Sequence, residues 1–120
     1  MIFPRLAAAV LVCVVATAAA AADRVALVIG NGAYQGEAVL ANPTKDARDI
    51  STALARHGFE VTALLDLDRR GMEDALRSFR SAADRAEIAL VYYAGHGIEV
   101  DGANFLLPTD ARLAHSEDVE

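Results

Sequence analysis

Residues 24–30, RVALVIG, constrain the fold more than any other stretch of the chain. Val25, Ala26, Leu27, Val28 and Ile29 follow one another without a polar break, and Gly30 ends the run. Alternating residues of a strand point to opposite faces, so an unbroken apolar run leaves no face for water. Such a strand belongs inside a sheet covered on both sides, the habit of parallel sheets.

The residues that follow supply the covering layers. A glycine-rich loop, NGAYQGEAVLA, occupies 31–41. Asn42 then reads as a helix N-cap with Pro43 at the first helical position, where its missing N–H costs nothing. Ala47, Ile50 and Leu54 recur on one face of a helix running to Arg56, and Gly58 stops it. FEVTALL (59–65) reads as a second strand. Asp68 caps a second helix with an expected apolar stripe of Met72, Leu76, Phe79 and Ala83. EIALVYYA (87–94) reads as a third buried strand. IEVDGANFLL (98–107) carries Asp101-Gly102 at its centre, the signal of a two-residue hairpin. No internal repeat or linker interrupts this series.

Strands alternating with helices imply right-handed crossovers and an α/β, three-layer sandwich around a mostly parallel sheet. In the common open arrangement the first strand is central, flanked by the second and third. The carboxyl ends of strands one and three then border the switch point where such sheets place ligands. GNG (30–32) and GHG (95–97) end those two strands, so both fall on one rim.

His96 is the candidate general base at that rim. Gly95 and Gly97 let backbone and ligand approach closely, and the Gly97 N–H is an unobstructed donor suited to an oxyanion. A base beside an oxyanion donor is half of an acyl-transfer site. The other half is a nucleophile, and a cysteine suits it, because an imidazole activates a neighbouring thiolate. The chain's only cysteine is Cys13.

Other polar groups have plainer readings. GNGAYQG has glycine spacing unlike a dinucleotide fingerprint, and its helix starts too far downstream for the N-terminus to face a pyrophosphate. Asp46 and Asp49, with Lys45 and Arg48, belong to a solvated first helix, unless Asp46 turns toward the loop. Arg69, Arg70, Arg77, Arg80 and Arg85 alternate with acids on the second helix and read as a solvated face. His57 suits a helix C-terminus, and His115 has no recognisable partner. No histidine pair has metal-ligand spacing, so no metal site is expected.

The first 22 residues differ from the rest. A short segment with Arg5, the apolar run LAAAVLVCVV and an alanine-rich end at Ala20-Ala21-Ala22 form the pattern of a secretory signal peptide. Its cleavage before Asp23 predicts an exported, periplasmic or secreted domain over 23–120 with no stable membrane insertion. Cleavage removes Arg5 from the 11 basic residues and leaves 10 against 17 acidic ones, a net charge of −7. That balance excludes a general nucleic-acid-binding surface.

RVALVIGNGAY, LANPTKDARDISTALARHGFEV and ALVYYAGHGIEVDGANFLLPTDA together resemble the large-subunit region of caspase-like cysteine peptidases (peptidase C14), in particular the bacterial metacaspase-type branch. The resemblance covers residues 24–112 and implies a caspase–hemoglobinase-like fold acting on peptide or protein substrates. It implies that His96 is the catalytic histidine and that the Gly97 amide contributes to the oxyanion hole. In that family the nucleophilic cysteine follows a further strand, so the chain is expected to be an N-terminal portion, incomplete at its C-terminus. The resemblance implies no organic cofactor, calcium activation in part of the family, and cleavage after Arg or Lys in its metacaspase branch but after Asp in true caspases. A non-catalytic caspase-like interaction module is the alternative. A serine hydrolase using HG only as an oxyanion loop would need a Gly-x-Ser-x-Gly elbow, and none occurs.

Overall fold

The computed structural model describes residues 22–113. The leader reading, Ala22 apart, and His115 lie outside those residues. The elements run β1 (Arg24–Gly30), α1 (Asn42–Arg56), β2 (Glu60–Leu65), α2 (Arg69–Ala83), β3 (Ile88–Ala94), β4 (Gly97–Val100) and β5 (Ala103–Leu106). β1 lies between β2 and β3, parallel to both, and β4 and β5 form an antiparallel pair.

Strand geometry divides β1 between two helices. Leu27 and Ile29 point to one face, where Ala75 of α2 closes a core joined by Leu64, Leu67, Phe79 and Tyr93. Gly30 points to the other face, where a Cβ would come within 2.7 Å of the Ala47 Cβ on α1. The helices therefore flank the sheet, giving three layers. Residues 25–29 are all buried, as an unbroken apolar strand in a central position requires.

Three expectations need correction. The cap of α1 is Ala41, with no side-chain hydrogen bond, so the helix begins one residue before the expected Asn42 cap position allows. The carbonyls of Leu40 and Pro43 pack where Cβ atoms on Gly32 and Gly30 would stand, and that contact sets the chain's entry into the helix. On α2, Ala75 is buried and Leu76 is 48% exposed. The small side chain lets α2 sit close over β1 and turns Leu76 to the flank. β3 is not buried on both faces: Ile88, Ala89 and Val91 are exposed because β3 is an edge of the described sheet.

The punctuation is as expected. Asp68 accepts the Gly71 N–H at 2.7 Å and caps α2. Gly58 has φ +81° beyond the end of α1, a conformation glycine adopts without steric cost. Asp101 and Gly102 have φ +51° and +80° and join Val100 to Ala103 in a two-residue turn. Two successive positive φ values match the right-handed twist of the strands they connect.

Candidate active site

The two glycine-flanked stretches meet at the carboxyl rim of the sheet. The Asn31 N–H donates to the Ala94 carbonyl at 2.8 Å, so the β1 and β3 ends are joined directly. The Asn31 side chain is wholly buried. Its Oδ1 accepts the Leu67 N–H at 2.9 Å, while Nδ2 reaches the Leu107 carbonyl at 3.3 Å and the Leu67 carbonyl at 3.4 Å. Asp66, at φ +54°, accepts the N–H groups of Gly32 and Ala33 on one carboxylate oxygen, at 2.9 and 3.0 Å. The loop after β1 is thus held from the β2 side by a carboxylate and from beneath by an amide.

Two tyrosines hold the His96 main chain. The His96 N–H donates to the Tyr34 hydroxyl oxygen at 2.8 Å. The Tyr93 hydroxyl lies 2.7 Å from the His96 carbonyl, and the two phenol oxygens are 3.0 Å apart. Both phenols also lie 3.0 Å from the Leu107 carbonyl at the exit of the hairpin. Burial, and next the neighbouring Tyr34 hydroxyl, pushes the Tyr93 phenol far above the ordinary tyrosine value. Tyr93 is therefore a neutral donor throughout the physiological range. Gly95 is required here, since a Cβ would stand 2.5 Å from the Tyr93 hydroxyl and 2.6 Å from that of Tyr34.

The imidazole of His96 is fixed by the same loop. Its Nε2 lies 2.7 Å from the Ala38 carbonyl oxygen. A carbonyl only accepts, so in the neutral ring Nε2 carries the proton and Nδ1 the lone pair. The Tyr34 ring stands edge-on to the imidazole, with centroids 4.5 Å apart and planes at 62°. The ring is held at Nε2, and Nδ1 has no partner among the described residues.

Gly97 opens β4 opposite Leu106. The Leu107 N–H donates to the His96 carbonyl at 3.0 Å, which makes Gly97 and Leu106 a non-hydrogen-bonded pair. The Gly97 N–H consequently faces away from β5, available to another acceptor. A Cβ at Gly97 would meet only the Phe105 carbonyl oxygen, at 3.4 Å.

His57 lies at the opposite end of the sheet, its carbonyl accepting from Arg24 at 3.0 Å. Asp46 is exposed on α1, while its neighbour Lys45 pairs with Asp49 at 2.6 Å. Among the described residues no three His, Cys, Asp or Glu side chains gather to hold a metal ion. Asn31, Tyr34, Ala38, Asp66 and Tyr93 are the residues of this rim that sequence reasoning did not assign. A polar Asn31 placed directly after a fully apolar strand was a readable signal for one of them.

The helices and the parallel sheet form an α/β arrangement consistent with a caspase-like fold, with His96 following the end of β3. The caspase domain family (peptidase C14) matches residues 23–119, and the chain belongs to that family. Human mucosa-associated lymphoid tissue lymphoma translocation protein 1 is 40% identical over 91 residues, covering 76% of this chain and 11% of the relative. The mouse homolog of that protein matches with the same identity and coverage. The chain thus spans about a tenth of the length of the curated relatives it matches.

Proposed function

We propose that this chain is the histidine-bearing part of a cysteine-type endopeptidase, working with a cysteine on a longer form of the polypeptide. The observation that supports it most is the geometry of His96, with Nε2 at the Ala38 carbonyl, Nδ1 without a partner among the described residues, and the Gly97 N–H next in the chain turned away from β5.

Nδ1 accepts the thiol proton, and the thiolate attacks the carbonyl carbon of the scissile peptide bond. The carbonyl π pair moves to oxygen, and the Gly97 N–H donates to the oxyanion. Collapse restores the carbonyl and expels the amine, which takes the proton from Nδ1 as the C–N bond breaks. The enzyme is left as a thioester. Water then loses a proton to Nδ1 while attacking that carbonyl, the C–S bond breaks to release the acid, and the departing thiolate takes the proton back from Nδ1. Ala38 stabilises the imidazolium formed in both halves, because its carbonyl dipole already faces Nε2–H.

The test is hydrolysis of peptides with basic or acidic P1 residues by the longest natural polypeptide that contains this chain. Turnover of one of the two peptide classes is expected. His96→Ala should lower kcat/KM by roughly 10²–10⁴-fold. Undiminished turnover in that variant removes His96 from the reaction. A non-catalytic caspase-like interaction module is the second reading. Failure of every peptide to be cleaved by the longer polypeptide supports it.

A further inference from the structure

We infer that Tyr34 is a positioning residue for His96, its phenol holding the histidine's main-chain N–H while its ring sets the edge against which the imidazole stands. The inference rests on the catalytic reading of His96 for its consequence, and on geometry alone for its physical content.

Counting protons gives each phenol a separate task. The His96 N–H must donate, so the Tyr34 oxygen accepts it at 2.8 Å. The single Tyr34 hydroxyl proton then has two acceptors within reach, the Leu107 carbonyl and the Tyr93 oxygen, both at 3.0 Å. The shortest contact of Tyr93 is to the His96 carbonyl, at 2.7 Å. With Tyr93 donating to His96, two arrangements satisfy every group: Tyr34 donates to Leu107, or it donates to the Tyr93 oxygen while Leu107 keeps the Asn31 amide. The His96 peptide is then gripped at its N–H by one phenol and at its C=O by the other.

The two grips are not equal. The His96 carbonyl also accepts the Leu107 N–H at 3.0 Å, so it keeps a partner without Tyr93. The N–H has no partner but Tyr34 among the described residues. Tyr34 also touches the ring itself, and Ala38, which holds Nε2, lies four residues along the same loop. A single loop thus controls the backbone, the edge and the tautomer of the histidine. Tyr34 is buried, and ordered by the contact at Leu107. Losing its hydroxyl frees the main chain beneath His96 without removing the ring.

The experiment has a spectroscopic arm on this chain and a kinetic arm on the longer polypeptide. In Tyr34→Phe, the His96 amide should exchange with solvent about fivefold to tenfold faster relative to the amides of Val28 and Ile29. Its imidazole nitrogen shifts should move away from those of a pure Nε2–H tautomer. Tyr93→Phe should alter both readouts less, because Leu107 still serves the carbonyl. In the peptidase, Tyr34→Phe should lower kcat by roughly 10–100-fold, the cost of a small misplacement of a reacting group. KM should stay within about twofold. Unchanged exchange and imidazole shifts at His96 in Tyr34→Phe overturn the inference, as does a larger effect from Tyr93→Phe. If Tyr34→Phe does not fold, His96 amide exchange in the wild type as fast as in an exposed loop overturns it equally. Altered His96 signals together with activity that survives His96→Ala uphold the positioning contact and refute the catalytic reading instead.

Discussion

Asn31 and His96 occupy the same local pattern, a polar residue between two glycines at the end of a parallel strand, and the molecule uses them in opposite ways. Asn31 is fully buried, and both ends of its amide are bound to the β2–α2 connection and the hairpin exit. His96 is half-buried, and one ring nitrogen is bound while the other has no partner among the described residues. A polar group with all its bonds made inside the protein supplies structure. A polar group held at one end only has something left for a ligand. Depth and partner count separate the two, and the glycine pattern does not.

The contrast is tested most severely at Asn31. Asn31→Ala leaves the Leu67 N–H without its acceptor and removes a donor from the Leu107 carbonyl, in a site water does not reach. A loss of about 2–4 kcal/mol in unfolding free energy is expected from denaturant titration. His96→Ala should change that quantity by well under half as much. Equal losses would mean that His96 is also a structural residue.

The flanking glycines should divide in the same way. Gly95→Ala drives a methyl against two phenol oxygens and should cost about 1–3 kcal/mol, read from the same titration. Gly97→Ala meets nothing closer than an ordinary contact and should stay within about 0.5 kcal/mol of wild type. Similar costs at both positions would show that the phenol pair is not the constraint on Gly95.

The smallest effect is a pH dependence. Burial holds Tyr93 neutral in the folded chain, whereas an unfolded tyrosine loses its proton near pH ~10. The folded state therefore binds more protons than the unfolded state above that pH. This contribution to stability is intact below it and is lost progressively as pH rises. Urea midpoints should fall above pH ~10 in wild type and fall less steeply in Tyr93→Phe. Identical slopes would mean that the phenol at the His96 carbonyl is not shielded from water.

The frame of the molecule was legible because local chemistry writes it. Val25 to Ile29 had to be a central strand, Asp101-Gly102 had to be a tight turn, and Asp68 had to cap a helix. Those conclusions need only side-chain alternation, positive φ and a short acceptor. The same logic put GNG and GHG on one rim, and the Asn31–Ala94 hydrogen bond joins them there.

The candidate site was legible only as a histidine and a glycine. What fixes the histidine is the carbonyl of Ala38, 58 positions away in the chain, and a main-chain carbonyl leaves no mark in a sequence. The choice between Ala75 and Leu76 was equally hidden, since both lie near the helix face and only the distance between α2 and β1 decides which one fits. Sequence by itself determined the elements, their order and the rim, because each depends on neighbours along the chain. The tertiary structure decided which polar residue of the rim is spent on the fold and which keeps a free nitrogen, because that depends on partners the chain brings together only by folding.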